Sequence, residues 1–148
     1  MTQEGGPEVR EGGPQEFDPE VVRLAGQVFD AARGGDPALV RRLLDAGAPP
    51  NLTNDRGDTL VMLAAYHGHA EAVRVLLEHG ADPNRINDRG QSPLAGAVFK
   101  GTPDVVRVLL EGGADPNAGR PSALEAAMMF ERRDMVELLT SGGGATAE

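Results

Sequence analysis

The pairs Leu43-Leu44, Leu76-Leu77 and Leu109-Leu110 recur every 33 residues, and the residues around them recur in step. Gly47, Gly80 and Gly113 keep the same interval, as do Pro49-Pro50-Asn51, Asp82-Pro83-Asn84 and Asp115-Pro116-Asn117. A fourth copy follows at an interval of 30, where Leu124 matches Leu94, Asp134 matches Asp104, Leu139 matches Leu109 and Gly143 matches Gly113. The shortening falls between Asn117 and Ser122. A period of this size is the signature of a stacked array, because one short helical pair cannot bury its own apolar stripe. The leucines and valines of each copy must therefore pack against the next.

Local chemistry supports helical pairs. Ala31-Ala32, Ala64-Ala65 and Ala97-Val98 are small where two helices approach closely. Asp36-Pro37 and Thr102-Pro103 read as a cap residue followed by proline at the first helical position. Gly47, Gly80 and Gly113 fall just past the last leucine, where a left-handed residue closes a helix. The first helix is expected to start at Asp18-Pro19-Glu20, to bury Val21, Leu24, Val28 and Ala31-Ala32, and to exceed its later counterparts in length. At the other end Thr140 replaces the second leucine and Glu131 the helix-ending glycine, which reads as a polar terminal cap.

This content resembles the ankyrin repeat. The second copy carries Asn54-Asp55-Arg56-Gly57-Asp58-Thr59, Ala64-Ala65, Gly68-His69, Val73, Leu76-Leu77 and Gly80-Ala81-Asp82-Pro83-Asn84. The third carries Asp88-Arg89-Gly90-Gln91-Ser92-Pro93-Leu94, Ala97, Gly101, Val105-Val106, Leu109-Leu110 and Gly113-Ala114-Asp115-Pro116-Asn117. The resemblance covers roughly residues 19 to 143 and implies an all-α solenoid of four helix-turn-helix units with short loop or β-turn fingers. The expected organisation is a disordered acidic leader at 1–17, a repeat domain at 18–143 and a frayed tail at 144–148. Units fall at about 18–53, 54–86, 87–117 and 118–143. The histidine of the family's TPLH-like helix start is missing, its places being taken by Phe29, Met62, Ala95 and Glu125, so the hydrogen-bond network it supports is not expected here.

Composition narrows the function. Hydrophobic residues make up 40% and aromatics only 3%, which fits a core of small and branched aliphatics in one elongated domain with no separate catalytic domain. No apolar run is long enough to span a membrane. Cysteine is absent, which removes disulfides, thiolate metal sites and cysteine nucleophiles. Residues 1–20 hold six acids against Arg10 and so contribute -5 of the net charge of -9. A surface of that sign repels phosphate backbones and favours a protein partner with a basic surface. Among the 14 basic residues only Lys100 is lysine, an arginine bias that fits a GC-rich bacterial genome. The start, Met1-Thr2-Gln3-Glu4-Gly5, has neither a basic nor an apolar signal region, so the cytoplasm is the expected compartment.

Motifs that suggest chemistry have simpler readings. His67, His69 and His79 lie close together, but residues two apart on a helix point to different faces, whereas metal pairs need a spacing of three or four. Arg56-Gly57-Asp58 spells an adhesion tripeptide, yet its counterpart Arg89-Gly90-Gln91 keeps only the glycine, so the turn explains it and the acid is incidental. Gly112-Gly113 and Gly142-Gly143-Gly144 follow helices instead of opening them and lack the lysine of a phosphate loop. Ser92 and Ser122 sit where capping suffices. No cofactor, metal or catalytic residue is expected, and a monomer is.

In ankyrin-like arrays the loop tips and the exposed face of the first helix bind partners. Two adjacent columns vary there: Arg33, Tyr66, Phe99, Met129, and Gly34, His67, Lys100, Phe130. Three of the five aromatics fall in them, forming a ladder that either docks a partner or leans back onto the helices. The finger residues Asp55, Arg56 and Asp58, with Asp88, Arg89 and Gln91, project beside it. The resemblance thus implies a non-enzymatic interaction module, an adaptor, inhibitor or assembly factor. Small bacterial ankyrin proteins that support a neighbouring catalase suggest an alternative, an accessory factor for a metabolic or stress enzyme.

Overall fold

The computed structural model describes residues 18–141, so the expected leader and tail lie outside the described residues. Four helical pairs follow one another: α1 (Pro19–Gly34) with α2 (Pro37–Asp45), α3 (Leu60–Tyr66) with α4 (Ala70–Glu78), α5 (Pro93–Lys100) with α6 (Pro103–Glu111), and α7 (Ala123–Met129) with α8 (Arg133–Ser141). The first of each pair forms an inner layer, α1 against α3, α3 against α5 and α5 against α7. The second forms an outer layer, in which α2, α4, α6 and α8 pack in sequence. At 16 residues α1 exceeds the other helices, and Asp18 caps it by accepting from the Glu20 N–H.

Each inner helix starts on a hydroxyl or carboxylate. Thr59 accepts from Met62 N–H at 3.1 Å, Ser92 from Ala95 N–H at 3.0 Å, and Ser122 from Glu125 N–H at 3.1 Å. Glu125 returns the contact to Ser122 N–H at 2.9 Å, completing a capping box. The outer helices are less uniform. Asp36 caps α2 as expected, but Thr102 does not cap α6 through its side chain. Its hydroxyl instead donates back to the carbonyl of Ala97, at 3.4 Å, tying α6 to its own inner helix.

The core consists of the repeated aliphatics. Val40, Val73 and Val106 are fully buried, as are Leu76 and Leu109, and Phe29 fills the histidine place of the first unit. Val21, expected to be buried, is half-buried, since among the described residues no helix precedes α1. Gly47, Gly80 and Gly113 adopt φ of 114°, 89° and 97°, the left-handed closure their position predicts.

Side-chain amides staple successive loops. Asn51 accepts from Asp82 N–H and Asn84 from Asp115 N–H, both at 2.7 Å. On the outer layer Arg41 pairs with Glu78 and Arg74 with Glu111 across unit boundaries. These pairs are half-exposed and each contributes a few tenths of a kcal/mol at about the level of other surface ion pairs.

His79 joins the first two units more specifically. Its Nδ1 lies 2.9 Å from the Val75 carbonyl and its Nε2 lies 2.9 Å from the Asp45 carboxylate. Both partners are acceptors, so only the doubly protonated ring satisfies both. The bonds to Asp45 and Val75 raise its pKa above the usual histidine value. The stabilisation is thus complete below the unfolded pKa of about 6.5 and disappears as pH rises through the raised folded value. The melting temperature of His79→Gln is therefore expected to fall short of wild type more at pH 6 than at pH 9. Equal deficits at both would show that the charge on His79 contributes nothing.

Candidate interaction surface

The fingers between units are built from asparagine. Asn54 Oδ1 accepts from the N–H groups of Arg56 and Asp58, and Asn87 Oδ1 accepts from those of Arg89 and Gln91, at 2.9 and 3.0 Å in each finger. Neighbouring fingers are then joined through the backbone, Asp88 N–H donating to Arg56 C=O and Arg120 N–H to Gly90 C=O. Gly57, at φ 78°, permits this approach, since a Cβ there would overlap the Asp88 carboxylate and stand 2.9 Å from its backbone nitrogen.

This architecture corrects one expectation. The acid of Arg56-Gly57-Asp58 is not incidental, because Asp58 Oδ1 accepts from Asn87 Nδ2 at 2.8 Å and so clasps the next finger. Gln91 accepts from the same amide at 3.1 Å. Asp58 and Gln91 are accordingly half-buried, whereas Asp55, Arg56, Asp88 and Arg89 are exposed at the tips.

The aromatic residues come together as a continuous strip. The rings of Tyr66 and Phe99 stack with centroids 6.2 Å apart and planes 14° from parallel. Phe99 then meets Phe130 at 5.9 Å, crossing from one register column to the next, while Met129 remains 66% exposed beside them. The strip does not lean back into the core. Phe99 is 62% exposed and Phe130 48%. Lys100 Nζ stands 5.9 Å from the centre of the Tyr66 ring, within cation–π range. His67 is held below the usual histidine pKa by burial first and then by the nearby His69, Lys100 and Arg33. Arg33 donates to Asp30 at 2.6 Å and lies at the first-unit end of the strip.

Fingers and strip bound one groove between the second and third units, with a volume of about 710 Å³. Asp55, Arg56, Asp88 and Arg89 form one wall, and Tyr66, His67 and Phe99 the other. Lys100, Met129, Phe130 and Arg33 lie outside it along the strip. Its lining includes Met62, read from the sequence only as the occupant of the missing histidine's place, and Gly96, which the sequence reading passed over. A Cβ on Gly96 would come within 3.2 Å of Met62 Sδ and Cε, so the bare α5 backbone is what lets Met62 pack closely against it. The signal was present in the register, since Leu63 and Ala126 occupy the equivalent places and only the third unit carries glycine. Glycine inside a helix costs about 1 kcal/mol relative to alanine, a loss of helix stability set against this close contact.

Comparison with known proteins agrees with this architecture. The family model for ankyrin repeats in three copies matches residues 28–120. The chain belongs to the ankyrin-repeat family. An ankyrin-repeat protein of Pseudomonas aeruginosa is 50% identical over 56 residues, covering 38% of this chain. The matched segment spans only 33% of that protein's length. Ankyrin repeats in general mediate protein–protein interaction and are typically non-enzymatic, and the fingers and inner helices of this ankyrin array follow the family's all-helical plan. Among the described residues no group of His, Asp and Glu is arranged to hold a metal ion, and no helix is long and apolar enough to cross a membrane.

Proposed function

We propose that this ankyrin array binds a partner protein through the groove between its second and third units and the aromatic strip beside it, acting as a rigid adaptor, inhibitor or assembly factor without chemistry of its own. The observation that carries this reading is the Tyr66–Phe99–Phe130 contact strip, solvent-exposed although each ring touches the next. Exposed aromatics with polar groups at their edge are the usual anchors of a protein interface. The fingers hold each other through Asn87 and Asp58, so the surface is preorganised and little conformational freedom is lost on binding. Asp55 and Asp88 alternate with Arg56 and Arg89 at the finger tips, so that wall offers both signs of charge to the partner. The partner's anchoring side chain is placed between the fingers and the aromatic wall, where Gly96 is among the lining residues.

Gly96→Leu tests that placement. It puts the leucine of the equivalent position 63 against Met62 in the groove lining, with helicity and melting measured to establish that the array stays folded. A protein captured by wild type is expected to bind this variant at least about tenfold more weakly, roughly 1.4 kcal/mol. Undiminished binding by a folded Gly96→Leu protein would remove the groove from the interface. Capture of a catalase or another metabolic enzyme would make the array an accessory factor acting through the same surface.

A further inference from the structure

Where the inner helices end and the outer ones begin, most charged side chains are matched within the chain. Arg33 pairs with Asp30, Glu71 with Arg74, and Asp104 with Arg107. In the fourth unit Arg132 pairs with Asp134, and Glu131 and Arg133, one of each sign, are exposed. Lys100, beside the groove, pairs with no carboxylate among the described residues. Its ammonium stands over the Tyr66 ring instead. The other polar side chains gathered there are basic. His67 meets the Tyr66 ring edge-on at 5.5 Å and stacks on His69 at 6.3 Å, and His69 Nε2 lies 2.9 Å from the Arg33 carbonyl. After burial, it is His69, Lys100 and Arg33 that lower the His67 pKa, and no carboxylate acts on it in the opposite sense. Helix dipoles do not set the local sign, since the negative ends of α3 and α5 adjoin the positive ends of α4 and α6. Nor does the net charge of -9, because charges more than about 10 Å away are largely screened at moderate ionic strength.

We infer that the groove takes an extended segment of a partner protein in which an aspartate or glutamate stands two residues from an aromatic or aliphatic anchor. The inference rests on the groove being the binding surface. The anchor lies against the stacked Tyr66 and Phe99 rings, and the carboxylate meets Lys100, with the His67 ring beside it. The spacing follows from strand geometry: side chains two residues apart on an extended segment share a face and stand about 6.6 Å apart. Lys100 Nζ is 5.9 Å from the centre of the Tyr66 ring, a close match. The net charge alone suggested a basic partner surface, but the charges at this wall favour an acid. Across the groove the finger tips present Asp55 and Asp88 together with Arg56 and Arg89, so they do not oppose that choice. Lys100 is exposed, so the new ion pair adds modest affinity and acts chiefly by selecting among segments that share an apolar anchor.

Selection of random linear peptides, displayed on phage, against the immobilised array tests it. Wild type is expected to enrich sequences with an acid two residues from an aromatic or aliphatic residue. A synthetic copy of an enriched peptide is expected to bind Lys100→Glu about tenfold more weakly, because reversing the charge turns attraction into repulsion. The same peptide with lysine in place of its acid is expected to bind Lys100→Glu better than wild type. Lys100 is exposed, so its replacement leaves the fold in place, which helicity and melting check. Peptides that require Tyr66 and Phe99 but carry no acid, or that bind Lys100→Glu undiminished, would overturn the inference and leave the groove as the binding surface. Peptides that bind a Tyr66→Ala, Phe99→Ala variant as well as wild type would overturn both. A wild type that enriches no peptide would overturn the inference as well.

Discussion

Leu76→Ala is expected to lower the unfolding free energy by about 3–4 kcal/mol, the largest effect of any single truncation proposed for this array. Leu76 is fully buried in α4, which packs against α2, α3 and α6. Its removal leaves a cavity that neither neighbour can close without breaking its own repeat register. Stability in a stacked array is shared between adjacent units, so a weakened second unit also uncouples the first from the third. Denaturant unfolding followed by circular dichroism measures the effect. Leu139→Ala in the fourth unit provides the comparison, since among the described residues α8 packs on α6 and α7, with no fifth unit beyond it. Equal effects at the two positions would contradict shared stability.

The second large effect concerns binding. Replacing Tyr66, Phe99 and Phe130 together by alanine is expected to reduce affinity for a captured partner by more than a hundredfold, at about 2 kcal/mol for each central aromatic and with incomplete additivity. Stability should move far less. All three side chains are at least 41% exposed, and truncating an exposed residue changes stability by about 0.5 kcal/mol or less. A variant that loses both binding and most of its melting temperature would instead make the strip part of the core.

How much of this was legible in the sequence depended on the range of the interaction. The helices were, because leucine pairs, cap residues and closing glycines act within one or two turns and repeat, so three copies report the same local preference. The aromatic columns were legible for a related reason: they are what remains when the core positions are subtracted from the register. The fingers were not. Asn87 reads as an ordinary turn residue, and its bond to Asp58 spans 29 positions of sequence, where no local preference acts. The asparagines after the repeated prolines had the same limitation, since Asn51 and Asn84 act on the following unit. Phe99 was assigned the column of Met129, yet it meets Phe130, because ring contact depends on side-chain direction at the helix end and not on spacing alone. Gly96 was overlooked because a glycine adds no side chain to a column, although it lines the groove and lets Met62 pack close.

Amide hydrogen exchange on the array with and without its captured partner tests the central claim most directly. Binding in the groove predicts slowed exchange in the two fingers around residues 54–58 and 87–91 and at the ends of α3 and α5, near Tyr66 and Phe99, with α2, α4 and α6 unchanged. Protection confined to the outer helices, with the fingers exchanging as in the free protein, would contradict it.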